Sequence, residues 1–210
     1  MFSSVRFDSN CRHVKRSLVL VSAFIFSGLS GLGSLLTSST VNGEDHQPSA
    51  GEKTSDIKYL GKWYFKAAVS HQEADIQKFR AFDNMVFTIE ETANDTLVLT
   101  GNMRMGDDCI KQSWTYHIQP ERDDMVMEGR TFRRNLFWSG TWANCLDCII
   151  FQEVEPPLRR TDSDDSLNRF MLYARQKDIS SEVVTTFLKN SACHQMKVHV
   201  TLPEEKEFCI

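Results

Sequence analysis

Cysteine is the residue type with the most chemistry to offer in this chain, and Cys145-Leu146-Asp147-Cys148 has the tightest spacing. A two-residue gap suits a dithiol redox pair or half a zinc site. Neither fits the surroundings. A redox pair belongs at a strand-to-helix junction of a βαβ unit, and zinc needs two more ligands, for which His194 beside Cys193 is a weak candidate. His117 alternates with Trp114 and Tyr116, which puts it on the outer face of a strand. Asp162, Asp164 and Asp165 lack the glycine and terminal glutamate of a calcium loop, so they read as a solvated turn. Arg133-Arg134 and Arg159-Arg160 read as surface pairs. No metal and no cofactor is expected.

The compartment decides what the cysteines do. Ser17 to Leu36 is an uncharged stretch of twenty residues preceded by Arg12, Lys15 and Arg16, the layout of a secretory leader or an anchor. Residues 1–36 form this targeting segment and 37–56 a polar linker. The rest of the chain enters an oxidising compartment, where Cys109, Cys145, Cys148, Cys193 and Cys209 make two bridges with one thiol left over, the pairing open. The sequon Asn94-Asp95-Thr96, in a polar turn, suits glycosylation in the same compartment. Residues 1–36 carry a net charge of +3 and the remainder −7, out of −4 overall. An acidic globule has no electrostatic footprint for nucleic acid.

The elements that must position any site are strands. Eight short apolar runs separated by turn residues span Lys62–Val69, Asn84–Glu91, Thr96–Met105, Gln112–Gln119, Met125–Phe132, Leu136–Trp142, Ile149–Glu155 and Leu167–Arg175. His71–Arg80 is weakly helical. Ser180–Asn190 has helical spacing at Val183, Val184, Phe187 and Leu188, and Lys197–Leu202 is a last short run. The pattern predicts an all-β fold: an eight-stranded antiparallel up-and-down barrel with a C-terminal α-helix, of the size that holds one small ligand. A sandwich is the competing architecture. The last strand is apolar on both faces, and the face bearing Arg169, Met171 and Tyr173 is a candidate cavity wall.

Gly61-Lys62-Trp63 at the first strand and Tyr173-Ala174-Arg175 before the helix resemble the first and third signature blocks of the lipocalins. In that family the arginine covers the tryptophan at the closed end of the barrel, the role implied for Trp63 and Arg175. Over residues 57–210 the blocks LGKWYF, FDNMVFTI, MRMGDDCI, SWTYHI, MEGR and FMLYAR, with Cys193 and Cys209, are similar to the apolipoprotein M family. The resemblance implies a secreted, monomeric, non-enzymatic lipocalin carrying sphingosine-1-phosphate, or a fatty acid or retinoid, on high-density lipoprotein. It also implies that the N-terminal segment is retained as the anchor in the particle surface.

By the same resemblance the ligand-binding residues are Trp114, Arg130, Glu153, Arg169 and Tyr173. Relatives place a basic residue where this chain has Gln112, so one phosphate-binding cation is missing. The family's bridge falls on Cys109 and Cys209. The partner expected for Cys145 falls on Val183, so Cys148 is a substitute, and Cys193 with Cys145 or Cys148 stays open. The chemistry suits a tailed anion. Phe87, Ile89, Leu97, Leu99, Trp114, Phe151 and Met171 offer apolar walls, worth roughly 0.8 kcal/mol per buried CH₂. Arginines fork onto phosphate, and Glu153 complements an ammonium. This reading requires a hollow interior. The rival classes are a lipocalin isomerase of prostanoids, which needs an activated cavity thiol, and a lipoprotein scaffold with an empty barrel.

Overall fold

Alternation shapes the barrel, and β3 (Thr96–Met105) shows it most plainly: Leu97, Leu99, Gly101 and Met103 are buried while the residues that alternate with them are only partly so. Thr and Val on its outer side keep the backbone extended. In the computed structural model, which describes residues 59–93, 95–119, 122–156 and 166–209, this strand pairs antiparallel with β2 (Asn84–Ala93) and β4 (Asp108–Ile118) along its whole length. The segments 1–36 and 37–56 and the sequon residue Asn94 lie outside the described residues.

The remaining strands are β1 (Gly61–Ser70), β5 (Met125–Met127), β6 (Arg130–Ser139), β7 (Cys148–Glu155), β8 (Leu167–Ala174) and β9 (Val198–Thr201). The order runs from β2 to β8 in sequence, then β1, and pairing of Gly61–Tyr64 with Val86–Ile89 closes the barrel. Closure leaves no open edge in the eight-stranded ring. Beyond Tyr64, β1 turns away from β2, and its freed edge at Ala67–Ser70 takes β9. The β1–β2, β3–β4, β5–β6 and β7–β8 connections gather at one end, the open end. The first of these holds α1 (Glu73–Ile76) and a 3₁₀ turn over Gln77–Ala81.

Two strand boundaries differ from the sequence expectation for one reason. Met125–Phe132 reads as a continuous run, but Gly129 has φ of +75° and reverses the chain there. The strand therefore stops at Met127, and β6 starts at Arg130 rather than at Leu136. It ends at Ser139, whose hydroxyl caps a 3₁₀ turn over Gly140–Ala143.

Apolar residues on both faces of β8 are explained by two cores. Met171 and Tyr173 point into the barrel. Leu172 and Ala174 lie in a second cluster with Phe170 against it, covered by Phe187 of α2 (Ser181–Cys193) and by Trp142. The Ser180 hydroxyl accepts from the Glu182 N–H at 3.2 Å and starts that helix.

Cys109 of β4 is bonded to Cys209, tying the C-terminal tail to the barrel wall, where Arg104 and Asn84 also donate to tail carbonyls. Cys145 is bonded to Cys148 across the turn into β7. The leftover thiol and the pairing of Cys193 with Cys145 or Cys148 are corrected. Three residues apart, Cys145 and Cys148 reach each other with Cα atoms 5.4 Å apart, and Cys193 is disulfide-bonded elsewhere. Among the described residues no cysteine is free.

Candidate functional site

The closed end is built on Gly61. Its φ of +94° suits glycine, and a Cβ there would meet the Arg175 guanidinium at 3.0 Å. That guanidinium lies 3.7 Å above the Trp63 ring centre and donates to the Lys62 carbonyl, while the indole N–H donates to the Tyr59 carbonyl at 2.7 Å. Trp63 and Arg175 therefore close the barrel floor as a stacked pair.

Above the floor the walls are aromatic. Phe87 stands edge-on to Tyr173 at 5.2 Å and against Trp114 at 6.1 Å, Tyr116 is edge-on to Phe151, and Phe137 packs on Phe151. Gly101 makes room for them, since a Cβ there would come within 2.8 Å of Phe87 and 3.1 Å of Trp114. The rings fill the interior far more than a hollow carrier requires. Between Trp63, Phe87, Leu99, Phe137, Phe151 and Tyr173 the remaining cavity is about 10 Å³, room for one water at most. The hollow-barrel expectation is corrected accordingly. The inward residues are as expected, but their rings meet across the barrel axis, as Tyr116 of β4 meets Phe151 of β7.

The polar residues collect at the open end. Glu153 faces Arg169 in the β7–β8 register. Arg169 Nε donates to the Glu153 carboxylate at 2.5 Å, Nη2 contacts the same oxygen, and Nη1 donates to the Asp75 carbonyl at 2.7 Å. Glu153 and Arg169 are both buried. A second arginine completes the group: Arg133 bonds Glu155 at 2.7 Å and reaches Glu153 at 3.4 Å. Beside them Asn135 is fully buried. Its amide donates to the Met125 carbonyl at 3.1 Å, but its Oδ1 has no partner among the described residues, an acceptor open to a hydroxyl or ammonium.

Burial, followed by the charge of Glu153, pushes the Tyr173 hydroxyl far up, and Tyr116 is raised for the same reasons. Both stay neutral donors against the ligand space.

Of the residues expected to bind ligand, Glu153 and Arg169 pair across adjacent strands, and Tyr173 lies four residues further along β8, opposite Ile149. Trp114 lies on the inner face of β4, half-buried. Gln112, two residues nearer the open end, is exposed. Arg130 stands at the rim with its side chain 56% exposed, 3.6 Å from Glu155. The inner place belongs to Arg133, which the sequence pattern suggests is a surface residue. The usable signal was the turn at Glu128-Gly129, which sets the alternation so that Arg133, Asn135 and Phe137 share a face. Phe79 was also missed. It is buried over the mouth, 5.3 Å from Phe65 and 5.0 Å from the Arg169 guanidinium, and its spacing from Ile76 marks one apolar helical face. His117 is exposed on the outer face.

Comparison with known proteins agrees with this architecture. An ApoM domain family model matches residues 25–210. Apolipoprotein M of Rattus norvegicus is 25% identical over 162 residues, covering 75% of this chain and 79% of that protein. Among solved structures, the siderocalin Q83 superposes with a TM-score of 0.57 at 16% identity, covering 75% of this chain and 96% of that one. The siderocalin Ex-FABP gives 0.55 at 14%, covering 73% and 95%. At these identities the two structures speak for the fold alone.

Proposed function

From the premise that this chain belongs to the apolipoprotein M family, we propose that it is a non-enzymatic extracellular carrier of one amphiphilic lipid with a phosphate head group, sphingosine-1-phosphate. The observation carrying this reading is the Arg133–Glu153–Arg169 group set at the open end of an aromatic-walled barrel. Two arginines offer forked donors to phosphate oxygens. Glu153 and Asn135 Oδ1 accept from an ammonium and a hydroxyl. The tail replaces ring-to-ring contacts with ring-to-methylene contacts, at roughly 0.8 kcal/mol per CH₂ taken from water.

The remaining parts of the reading come from the family. Residues 1–36 serve as a retained anchor in a lipoprotein surface, 37–56 as the linker, and 57–210 as the binding domain. The cysteine chemistry of a prostanoid isomerase finds no support, because every described cysteine is in a disulfide. A second reading, a lipoprotein scaffold whose barrel carries nothing, is favoured by the filled interior.

Native mass spectrometry of the full secreted chain separates the two. A co-purifying long-chain phosphate that is displaced by added sphingosine-1-phosphate supports the carrier. Lipoprotein association with no bound lipid, and no uptake on addition, supports the scaffold.

A further inference from the structure

Arg133 and Arg169 are largely spent on Glu153 and Glu155, and Arg130 leans on Glu155. A fourth cation overlooks the same mouth. Lys78 sits on the 3₁₀ turn of the β1–β2 connection, its ammonium 5.6 Å from the centre of the Phe79 ring, the ring that the Arg169 guanidinium also faces. That connection is held in place: Arg169 donates to the Asp75 carbonyl, and the Asp75 carboxylate accepts from Ser70 and from the Asn168 N–H. Lys78 thus stands over the binding group on a fixed turn, and among the described residues it has no carboxylate within ion-pair distance.

We infer that Lys78 is a head-group-binding residue, supplying at the mouth the phosphate-directed charge that Gln112 does not. This rests on the carrier reading and adds a residue to its site. Four cations, Lys78, Arg130, Arg133 and Arg169, stand against three carboxylates, Glu153, Glu155 and the Asp75 carboxylate held by Ser70 and Asn168, and the surplus positive charge suits a phosphate monoester. Partial desolvation, then the charge of Arg169, lowers the Lys78 ammonium to about 8; Glu153 opposes this, and Arg133 and Arg130 add to it. Anion binding relieves the repulsion, so the cation gains more from a phosphate than an isolated surface lysine would. Because the free amine loses its proton as pH rises through about 8, affinity for the phosphorylated lipid falls over that range.

The test measures binding of sphingosine-1-phosphate, sphingosine and inorganic phosphate to the full chain from pH 7 to 9.5, for wild type, Lys78→Met and Lys78→Arg. The phosphate's second ionisation lies near 6, so the head group stays dianionic throughout, and the sphingoid amine titrates alike in every variant. Lys78→Met is expected to lower the preference for the phosphorylated over the unphosphorylated lipid about tenfold and to flatten the pH dependence. Lys78→Arg keeps the preference and also flattens the slope, because guanidinium does not titrate there. Wild-type preference and slope in Lys78→Met would overturn the role of Lys78 while the carrier reading stands. Failure of the wild type to bind either lipid would remove that reading and this inference together. Inorganic phosphate binding as tightly as the phosphorylated lipid would make the site one for free phosphate and overturn the head-group role.

Discussion

Removing the Glu153 carboxylate tests the mouth most directly. In Glu153→Gln, Arg169 loses the negative charge that neutralises it, since an amide oxygen accepts its N–H groups only as a neutral acceptor, and keeps the Asp75 carbonyl at 2.7 Å. Arg133 still has Glu155 at 2.7 Å, so a single buried guanidinium is left uncompensated. Breaking a buried pair from one side costs about 3–5 kcal/mol. For a chain of this size that corresponds to roughly 6–20 °C in Tm, at about 2–4 °C per kcal/mol. Removing both charges in Glu153→Met/Arg169→Met leaves no stranded ion and brings stability back to within about 1 kcal/mol of wild type. Urea unfolding followed by tryptophan fluorescence reads both quantities with the disulfides intact. Binding supplies a separate readout: Glu153→Gln should erase the preference for a sphingoid phosphate over an alkyl phosphate lacking the amine. A single variant losing less than about 1 kcal/mol, or a double variant as unstable as the single, would refute the account of Glu153 and Arg169 as a buried, mutually compensating pair.

Three further outcomes are expected from the same geometry. The Cys109–Cys209 bridge closes a loop of 100 residues, so Cys109→Ser/Cys209→Ser should lose about 4–5 kcal/mol in denaturant unfolding, whereas Cys145→Ser/Cys148→Ser, three residues apart, should lose about 1.5 kcal/mol; equal losses would sink the loop-entropy argument. Gly101→Ala drives a methyl against Phe87 and Trp114 and should cost about 1–3 kcal/mol, with a shifted tryptophan emission in the folded protein; unchanged emission and stability would mean the rings yield freely. Burial raises the Tyr59 hydroxyl to about 12 from the ordinary 10, so stability holds below pH 10 and is lost as pH climbs toward 12; a tyrosinate signal near pH 10 in the folded protein that disappears in Tyr59→Phe would contradict that burial.

Much of the scaffold was legible because the signals are local. Alternating Leu and Thr in β3 declares its own buried face. The mouth was only partly legible. Glu153 and Arg169 were found through a resemblance, but the same resemblance puts the inner arginine at Arg130. Which arginine faces inward depends on where the β5–β6 turn falls, and one residue of register exchanges the two faces. Lys78 and Phe79 lie about ninety residues from Arg169, and no local pattern announces that they meet it.

Residue type and spacing alone determined that this chain forms short amphipathic strands and a C-terminal helix, because period-two and helical alternation act over a few residues; the tryptophan–arginine floor was implied by the family resemblance. Only the closed barrel decided which charges neutralise one another, that the second face of β8 is buried under α2, and that the aromatic walls meet across the axis. Those outcomes depend on distances between segments remote in the chain, and on the volume left when all of them are packed at once.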